Sequence, residues 1–150
     1  MIRYEIRKGE ERDIPALMTL IKELAEFERA PEQVCTDEKI LLRDWKEHQS
    51  FDFLVAEIND RVVGISLYYP RYSTWNGRCY YLEDLYVQPD ARGMGVGKAL
   101  LLATVEEAKK AGAGRLDWQV LDWNEGAVRF YKSLGAHIEK EWWNCKLVIS

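Results

Sequence analysis

Apolar and polar residues alternate from the start of the chain, with Ile2, Tyr4 and Ile6 set against Arg3, Glu5 and Arg7. That is the period-two pattern of a strand with one buried face. The period changes at Asp13, where Ile14, Leu17, Met18, Ile21, Leu24 and Ala25 recur at helical spacing. An acidic N-cap and a proline tolerated in the first turn fit a helix from about Asp13 to Glu28. After Pro31, Thr36 is expected to cap a second helix whose apolar stripe is Ile40, Leu41 and Trp45. Phe53 to Ile58, the pair Asn59-Asp60 and Arg61 to Tyr69 read as strand, tight turn and strand. Pro70 to Gly77 is expected to be a loop and Arg78 to Val87 another strand, stopped at Pro89 because proline cannot donate to a ladder. A glycine-rich turn leads into a helix over Lys98 to Ala111, with Gly112 at its C-cap. Leu116 to Leu121 reads as a strand, Asn124 as the N-cap of a short helix closed by Gly135, and the residues after Ala136 as the last strands.

The order β-α-α-β-β-β-α-β-α-β describes an α/β fold, a mixed sheet flanked by helices. No linker, repeat or composition shift divides the chain, so residues 1–150 are expected to form one domain. With 47% hydrophobic and 31% charged residues, the chain is neither disordered nor fibrous. A net charge of -4 without a run of Lys or Arg gives nucleic acid nothing to bind. No stretch approaches the ~18 apolar residues of a membrane span, and no apolar leader follows Met1, so a cytoplasmic protein with no membrane partner is expected. Cys35, Cys79 and Cys145 are odd in number and lack CxxC spacing, and His48 and His137 match no ligand pattern. Neither a disulfide framework nor a metal is expected.

The chemistry concentrates in Tyr81 to Lys98, where a strand delivers Gly93, Gly95 and Gly97 into a helix start. Glycines there allow positive φ and close approach of a ligand, and successive amides at a helix N-terminus make an anion cradle. The stretch lacks the GKS/T ending of a P-loop, and the order of elements is wrong for a Rossmann unit. From spacing alone, a phosphate-binding turn is the minimum reading.

Arg92-Gly93-Met94-Gly95-Val96-Gly97 resembles the R/Q-x-x-G-x-G/A pyrophosphate motif of the GNAT acetyltransferases. Leu82-Glu83-Asp84, Leu121-Asp122-Trp123-Asn124 and Phe130-Tyr131-Lys132-Ser133-Leu134-Gly135-Ala136 are similar to the spermidine/spermine N-acetyltransferase branch, including its thialysine-acetylating relatives. Ile21 to Glu28 and Tyr72-Ser73-Thr74-Trp75 extend the likeness over nearly the whole chain. The chain departs from that branch in a shorter hairpin between Glu57 and Arg61 and in a tail that stops soon after Trp142-Trp143. The resemblance implies a GNAT fold: a mixed, mostly antiparallel sheet of six to seven strands, about four helices, and strands splayed at the cofactor site. It also implies a homodimer, acetyl-CoA as co-substrate and a small cationic amine as acceptor.

Acetyl transfer to an amine needs a neutral nucleophile, whereas an alkylammonium has a pKa near that of lysine, about 10.4. By the resemblance Glu83 is the base and Tyr131 the acid that protonates the departing thiolate. Leu85, Tyr86 and Val87 would line the pantetheine arm, with a backbone amide of this stretch serving the oxyanion. Arg92, Gly93, Met94, Gly95, Val96, Gly97 and Lys98 would hold the diphosphate, with Asn124, Glu125, Gly126, Ala127 and Tyr131 as further cofactor contacts. Phe27, Glu28, Trp75, Glu83, Asp117, Trp118, Gln119 and Glu141 are the acceptor-binding candidates, since carboxylates attract a cation and aromatic faces pack on its aliphatic chain. With no Cys beside a motif-placed base, direct attack in a ternary complex is expected over an acetyl-enzyme. A GNAT acting on a protein N-terminus or lysine, and an acetyl-CoA-binding sensor without catalysis, are the alternatives.

Overall fold

The computed structural model describes residues 3–149, so Ile2 of the first expected strand lies outside the described residues. The chain divides into two compact units, Met1–Gln119 and Val120–Ser150. The first unit holds a five-stranded sheet in the order β1-β2-β3-β4-β5: β1 Glu5–Lys8, β2 Asp52–Ile58, β3 Arg61–Ser73, β4 Gly77–Val87 and β5 Leu116–Asp117. The first four strands pair antiparallel and β5 joins β4 in parallel. Three helices accompany them, α1 Ile14–Phe27, α2 Glu38–Lys46 and α3 Val96–Lys110, with α4 Glu125–Ser133 in the second unit. This is the expected α/β class with mostly antiparallel pairing, built among the described residues on five strands rather than six or seven.

From Ile65 to Tyr69 alternation along β3 assigns the two faces of the sheet, and an extra residue at Val63, where the register with β2 shifts, turns Val63 to the face opposite Ile65. Ile65, Leu67 and Tyr69 lie in one core with Leu17, Met18 and Leu20 of α1 and Leu41 of α2. Val63 and Tyr68 lie in the other with Val96 and Leu100 of α3. Ser66, on the α3 face, is fully buried, and its hydroxyl meets that of Thr104 at 2.5 Å. Thr104 also donates to the Leu100 carbonyl at 2.8 Å, so this buried polar pair leaves no hydroxyl unsatisfied.

Several expected boundaries are corrected. Asp13 precedes α1 but makes no capping bond; its carboxylate accepts from both Arg7 Nη atoms at 2.7 and 2.9 Å and from the Glu10 amide at 2.8 Å. The cap of α2 is Asp37 rather than Thr36, its Oδ1 accepting from Ile40 N–H at 2.9 Å. The loop expected from Pro70 is strand as far as Ser73. β2 begins at Asp52, opposite Tyr68, so at Pro70 the β2 side of β3 has no partner and a missing N–H costs nothing. α3 begins at Val96, two residues before the expected Lys98.

Two further corrections concern the end of the chain. The expected strand Leu116 to Leu121 is reduced to Leu116–Asp117, for a reason that lies in β4 and is given below. In the second unit, Asn124 caps α4 by accepting from Ala127 N–H at 3.2 Å, and Gly135 closes it with φ +89°. The strands expected after Ala136 do not form within the described residues. Among the described residues of that unit there is no strand edge to accept them, and Trp142, Trp143, Leu147, Val148 and Ile149 are all exposed. Among the described residues no helix is long and apolar enough to cross a membrane.

Candidate active site

The candidate site is organised by one irregularity in β4. Tyr68 of β3 pairs with Leu82 and Leu67 pairs with Asp84, so Glu83 is an extra residue on β4. An extra residue breaks the alternation of faces. Glu83 points to the α1/α2 face, where the Tyr69 hydroxyl donates to its Oε1 at 2.7 Å. Asp84, opposite Leu67, shares that face. In a regular strand these adjacent acids would point to opposite sides of the sheet. The irregularity also limits β5, which pairs only at Tyr80–Leu116 and Tyr81–Asp117, ending before Glu83. Beyond it, the outer edge of β4 from Leu82 to Val87 has no strand partner among the described residues.

The end of α1 brings a third carboxylate to this face. Burial pushes Glu28 above the usual carboxylate range, and the negative charge of Glu83 adds to the shift. Asp84 is pushed up to about 7, first by burial and then by the charges of Glu83 and Glu28. Glu83 raises the proton affinity of both Glu28 and Asp84, and Glu28 adds to that of Asp84, so the three acids, with a free strand edge beside them, form a site suited to a cation. Tyr69 is held well above the ordinary phenol value by burial and by its bond to Glu83; Tyr81, whose ring lies 5.6 Å from that of Tyr69, is raised by burial and by the Glu83 charge. Both hydroxyls therefore stay protonated at neutral pH. Asp84, Tyr69 and Tyr81 were not singled out by the sequence. Their role depends on the extra residue at Glu83, and the sequence carries no signal for it.

The free edge of β4 leads to the glycine turn. Gly93 and Gly95 both adopt φ +82°, a region L side chains rarely enter, and Gly95 is the N-cap of α3. Ala99 N–H makes the first helical bond, to the Gly95 carbonyl at 3.0 Å, leaving the amides of Val96, Gly97 and Lys98 as orphan donors of the first turn. A Cβ built at Gly93 meets nothing within 4 Å, and at Gly95 and Gly97 only Tyr4 Oη at 3.8 Å and Val87 Cγ2 at 3.7 Å. The turn is open and rich in amides, which fits a diphosphate group. Arg92 faces inward from it: Nε donates to the Val87 carbonyl at 2.9 Å, and the guanidinium stands 5.5 Å from the rings of both Phe27 and Tyr86. Tyr86 and Gln88 in turn bond Glu23 of α1 at 3.1 Å each.

The first unit thus brings together Phe27, Glu28, Glu83, Leu85, Tyr86, Val87 and the segment Arg92 to Lys98. Asp117 lies beside them but is engaged by Arg115 at 2.6 Å and by Arg71 at 3.6 Å, and Arg71 covers the Tyr81 ring. Trp118 and Gln119 follow β5 and enter no strand pairing among the described residues. Trp75 is not part of this group: it is 85% exposed in the turn between β3 and β4. Six residue steps along β4, from Gly77 to Glu83, separate the two by roughly 20 Å. In the second unit, Asn124, Glu125, Gly126 and Ala127 form the start of α4, the Tyr131 ring packs 5.4 Å from Phe130, and Glu141 is exposed in the tail. Two surface clefts of about 450 and 480 Å³ lie apart from the glycine turn, and the second is lined in part by Tyr69.

The chain is similar to known acetyltransferases. The model of the acetyltransferase (GNAT) family matches residues 17–136. The thialysine N-epsilon-acetyltransferase of Mus musculus is 43% identical over 154 residues, spanning 95% of this chain and 91% of the relative. The L-ornithine N5-acetyltransferase NATA1 of Arabidopsis thaliana is 41% identical over 97 residues, spanning 63% of this chain and 42% of the relative. Among solved structures, an integron cassette protein from the mobile metagenome of V. cholerae superposes with a TM-score of 0.77 at 26% identity, covering 95% of this chain and 92% of that one. A family model spanning β2 to β5, the glycine turn and α4, and a relative this close over almost its whole length, make the chain a member of the GNAT family and an acetyltransferase enzyme.

Proposed function

We propose that this enzyme transfers the acetyl group of acetyl-CoA to the primary amine of a small cationic acceptor, a thialysine-like diamino acid or a short polyamine, by direct attack in a ternary complex. The observation that carries the reading is the placement of Glu83, with Glu28 and Asp84, on one sheet face at the free edge of β4 that leads into the glycine turn. The relatives named for thialysine and ornithine acetylation support an acceptor carrying a terminal amine.

In this reading the amides and side chains from Arg92 to Lys98 hold the diphosphate, and Leu85, Tyr86 and Val87 lie along the pantetheine arm. Asn124, Glu125, Gly126 and Ala127 complete the cofactor contacts, the Asn124 side chain capping α4 at the same time. Glu28 and Glu83 draw the ammonium in, and Phe27, Asp117, Trp118, Gln119 and Glu141 contribute to the acceptor side. Glu83 acts as base, directly or through a water, and Tyr131 gives its proton to the departing sulfur. Residues 1–150 are read as a single acetyltransferase domain of a cytoplasmic homodimer working on small molecules, with neither nucleic acid nor membrane as partner.

An amine panel read by thiol release tests the assignment. Thialysine, ornithine and spermidine are expected to support turnover well above lysine and peptide N-termini. Preference for a peptide would move the enzyme to protein acetylation. Acetyl-CoA binding with no turnover on any amine would make it a sensor.

A further inference from the structure

The carboxylates presented by β4 are two, and the reaction removes two protons from one nitrogen. An ammonium and a thioester give an amide, a thiol and one free proton. The nitrogen loses its first proton before attack and its second as the C–N bond forms and the C–S bond breaks; the thiolate regains one. A single base at Glu83 accounts for one of these losses.

We propose that Asp84, not Glu83, takes the first proton from the acceptor ammonium, while Glu83, held by Tyr69, positions the amine and accepts the second. This rests on the reading of the site as an amine acetyltransferase centre. The geometric ground is the register of β4: the extra residue at Glu83 puts Asp84 on the same face instead of the opposite one. The two carboxylates then differ in what surrounds them. Glu83 is exposed and accepts a 2.7 Å bond from Tyr69, which occupies and orients one of its oxygens. Asp84 is less exposed, and the charges that act on it among the described residues are those of Glu83 and Glu28. The titratable groups on this face include Glu23 and Glu28 from α1, Tyr69 from β3 and Tyr81 and Tyr86 from β4, and among the described residues no cation acts on Asp84. The Arg92 guanidinium is turned to Phe27, Tyr86 and the Val87 carbonyl, and Arg71 to Tyr81 and Asp117.

An arriving ammonium supplies the missing positive charge and finds a base far better matched to it than an ordinary carboxylate. Without a bound cation Asp84, near 7, holds a proton about three powers of ten more tightly than an aspartate at about 3.9, and the arriving ammonium offsets part of that gain.

The test combines carboxyl titration with rate profiles. In ¹³C-labelled enzyme without ligands, the Asp84 carboxyl is expected to titrate near 7 and to move lower in Glu28→Gln and in Glu83→Gln, because each removes a negative charge that raises it. In kcat/KM for the best amine of the panel, the acidic limb near 7 is expected to vanish in Asp84→Asn. The same limb is expected to shift to lower pH, without vanishing, in Glu28→Gln and Glu83→Gln. Titration of Asp84 near 4 in the wild type would overturn the assignment, as would a limb unchanged in Asp84→Asn or abolished in Glu83→Gln alone. If Asp84→Asn does not fold, the shift in Glu28→Gln decides. The carboxyl titration reads whether or not any amine is turned over, so its failure is separable from failure of the acetyltransferase reading.

Discussion

Asp13 shows how much one buried side chain carries. It is 4% exposed, bonded by both terminal nitrogens of Arg7, and Arg7 also reaches Glu57 at 2.7 Å. Burial raises the Asp13 pKa, but the Arg7 bonds and the Glu10 amide outweigh it, and the net shift is downward. A depressed folded-state pKa gives stability that is present above the unfolded value of about 3.9 and is lost as pH falls through the folded value. Urea midpoints for the wild type are therefore expected to fall steeply below about pH 4, a loss that Asp13→Asn should flatten. At pH 7 the same variant is expected to be less stable by about 3 kcal/mol, because Arg7 loses its principal partner. At the chemical step, Tyr131→Phe is expected to lower kcat about 10- to 10⁴-fold with acetyl-CoA affinity nearly intact by calorimetry; unchanged turnover would remove Tyr131 from the mechanism. The sequence marked Glu83 and Glu28 because motif neighbours identified them. It missed Asp84 because strand alternation sends adjacent residues to opposite faces, and only the paired strand reveals that β4 breaks the rule here.

Elements were legible where a local signal is decisive. α1, α3 and α4 announce themselves by periodicity and by Asn124, Gly112 and Gly135, the two glycines at φ +80° and +89°. β3 was misjudged at Pro70 because proline is excluded only from a strand paired on both sides, and the sequence does not say where β2 begins. The shortness of β5 was likewise hidden, being decided by the neighbouring strand. The glycine turn separates backbone need from ligand need. Gly95→Ala is expected to cost about 1–2 kcal/mol from its left-handed φ alone, and to weaken acetyl-CoA binding. Gly97, inside α3 with room for a methyl group, should tolerate alanine with a gain of up to about 1 kcal/mol. Urea denaturation of the two variants checks the contrast: equal losses would show that φ at Gly95 is not what the glycine supplies.

At the scale of the molecule, fold class and family could be read from the order of elements and one glycine motif, because both depend on local sequence. The fate of the tail could not. Residues 137–149 are β-prone, yet a strand exists only with an edge to pair on, and the exposed Trp142, Trp143, Leu147, Val148 and Ile149 find none within their own unit. Surface of that kind is usually covered by a partner. Light scattering is expected to give twice the mass of one chain, and truncation after Lys140 to reduce it to that of one; a wild-type monomer would contradict the proposed homodimer.

The central claim is that backbone amides between Arg92 and Lys98 grip the diphosphate of acetyl-CoA at the end of the free edge of β4. ¹⁵N-resolved NMR of the amides, recorded as acetyl-CoA is added, tests it most directly. Large shifts and slowed hydrogen exchange at Gly93 to Lys98, with smaller changes at Leu85 to Val87, are the expected result. Saturable binding that leaves the amides of Val96, Gly97 and Lys98 unmoved would contradict it.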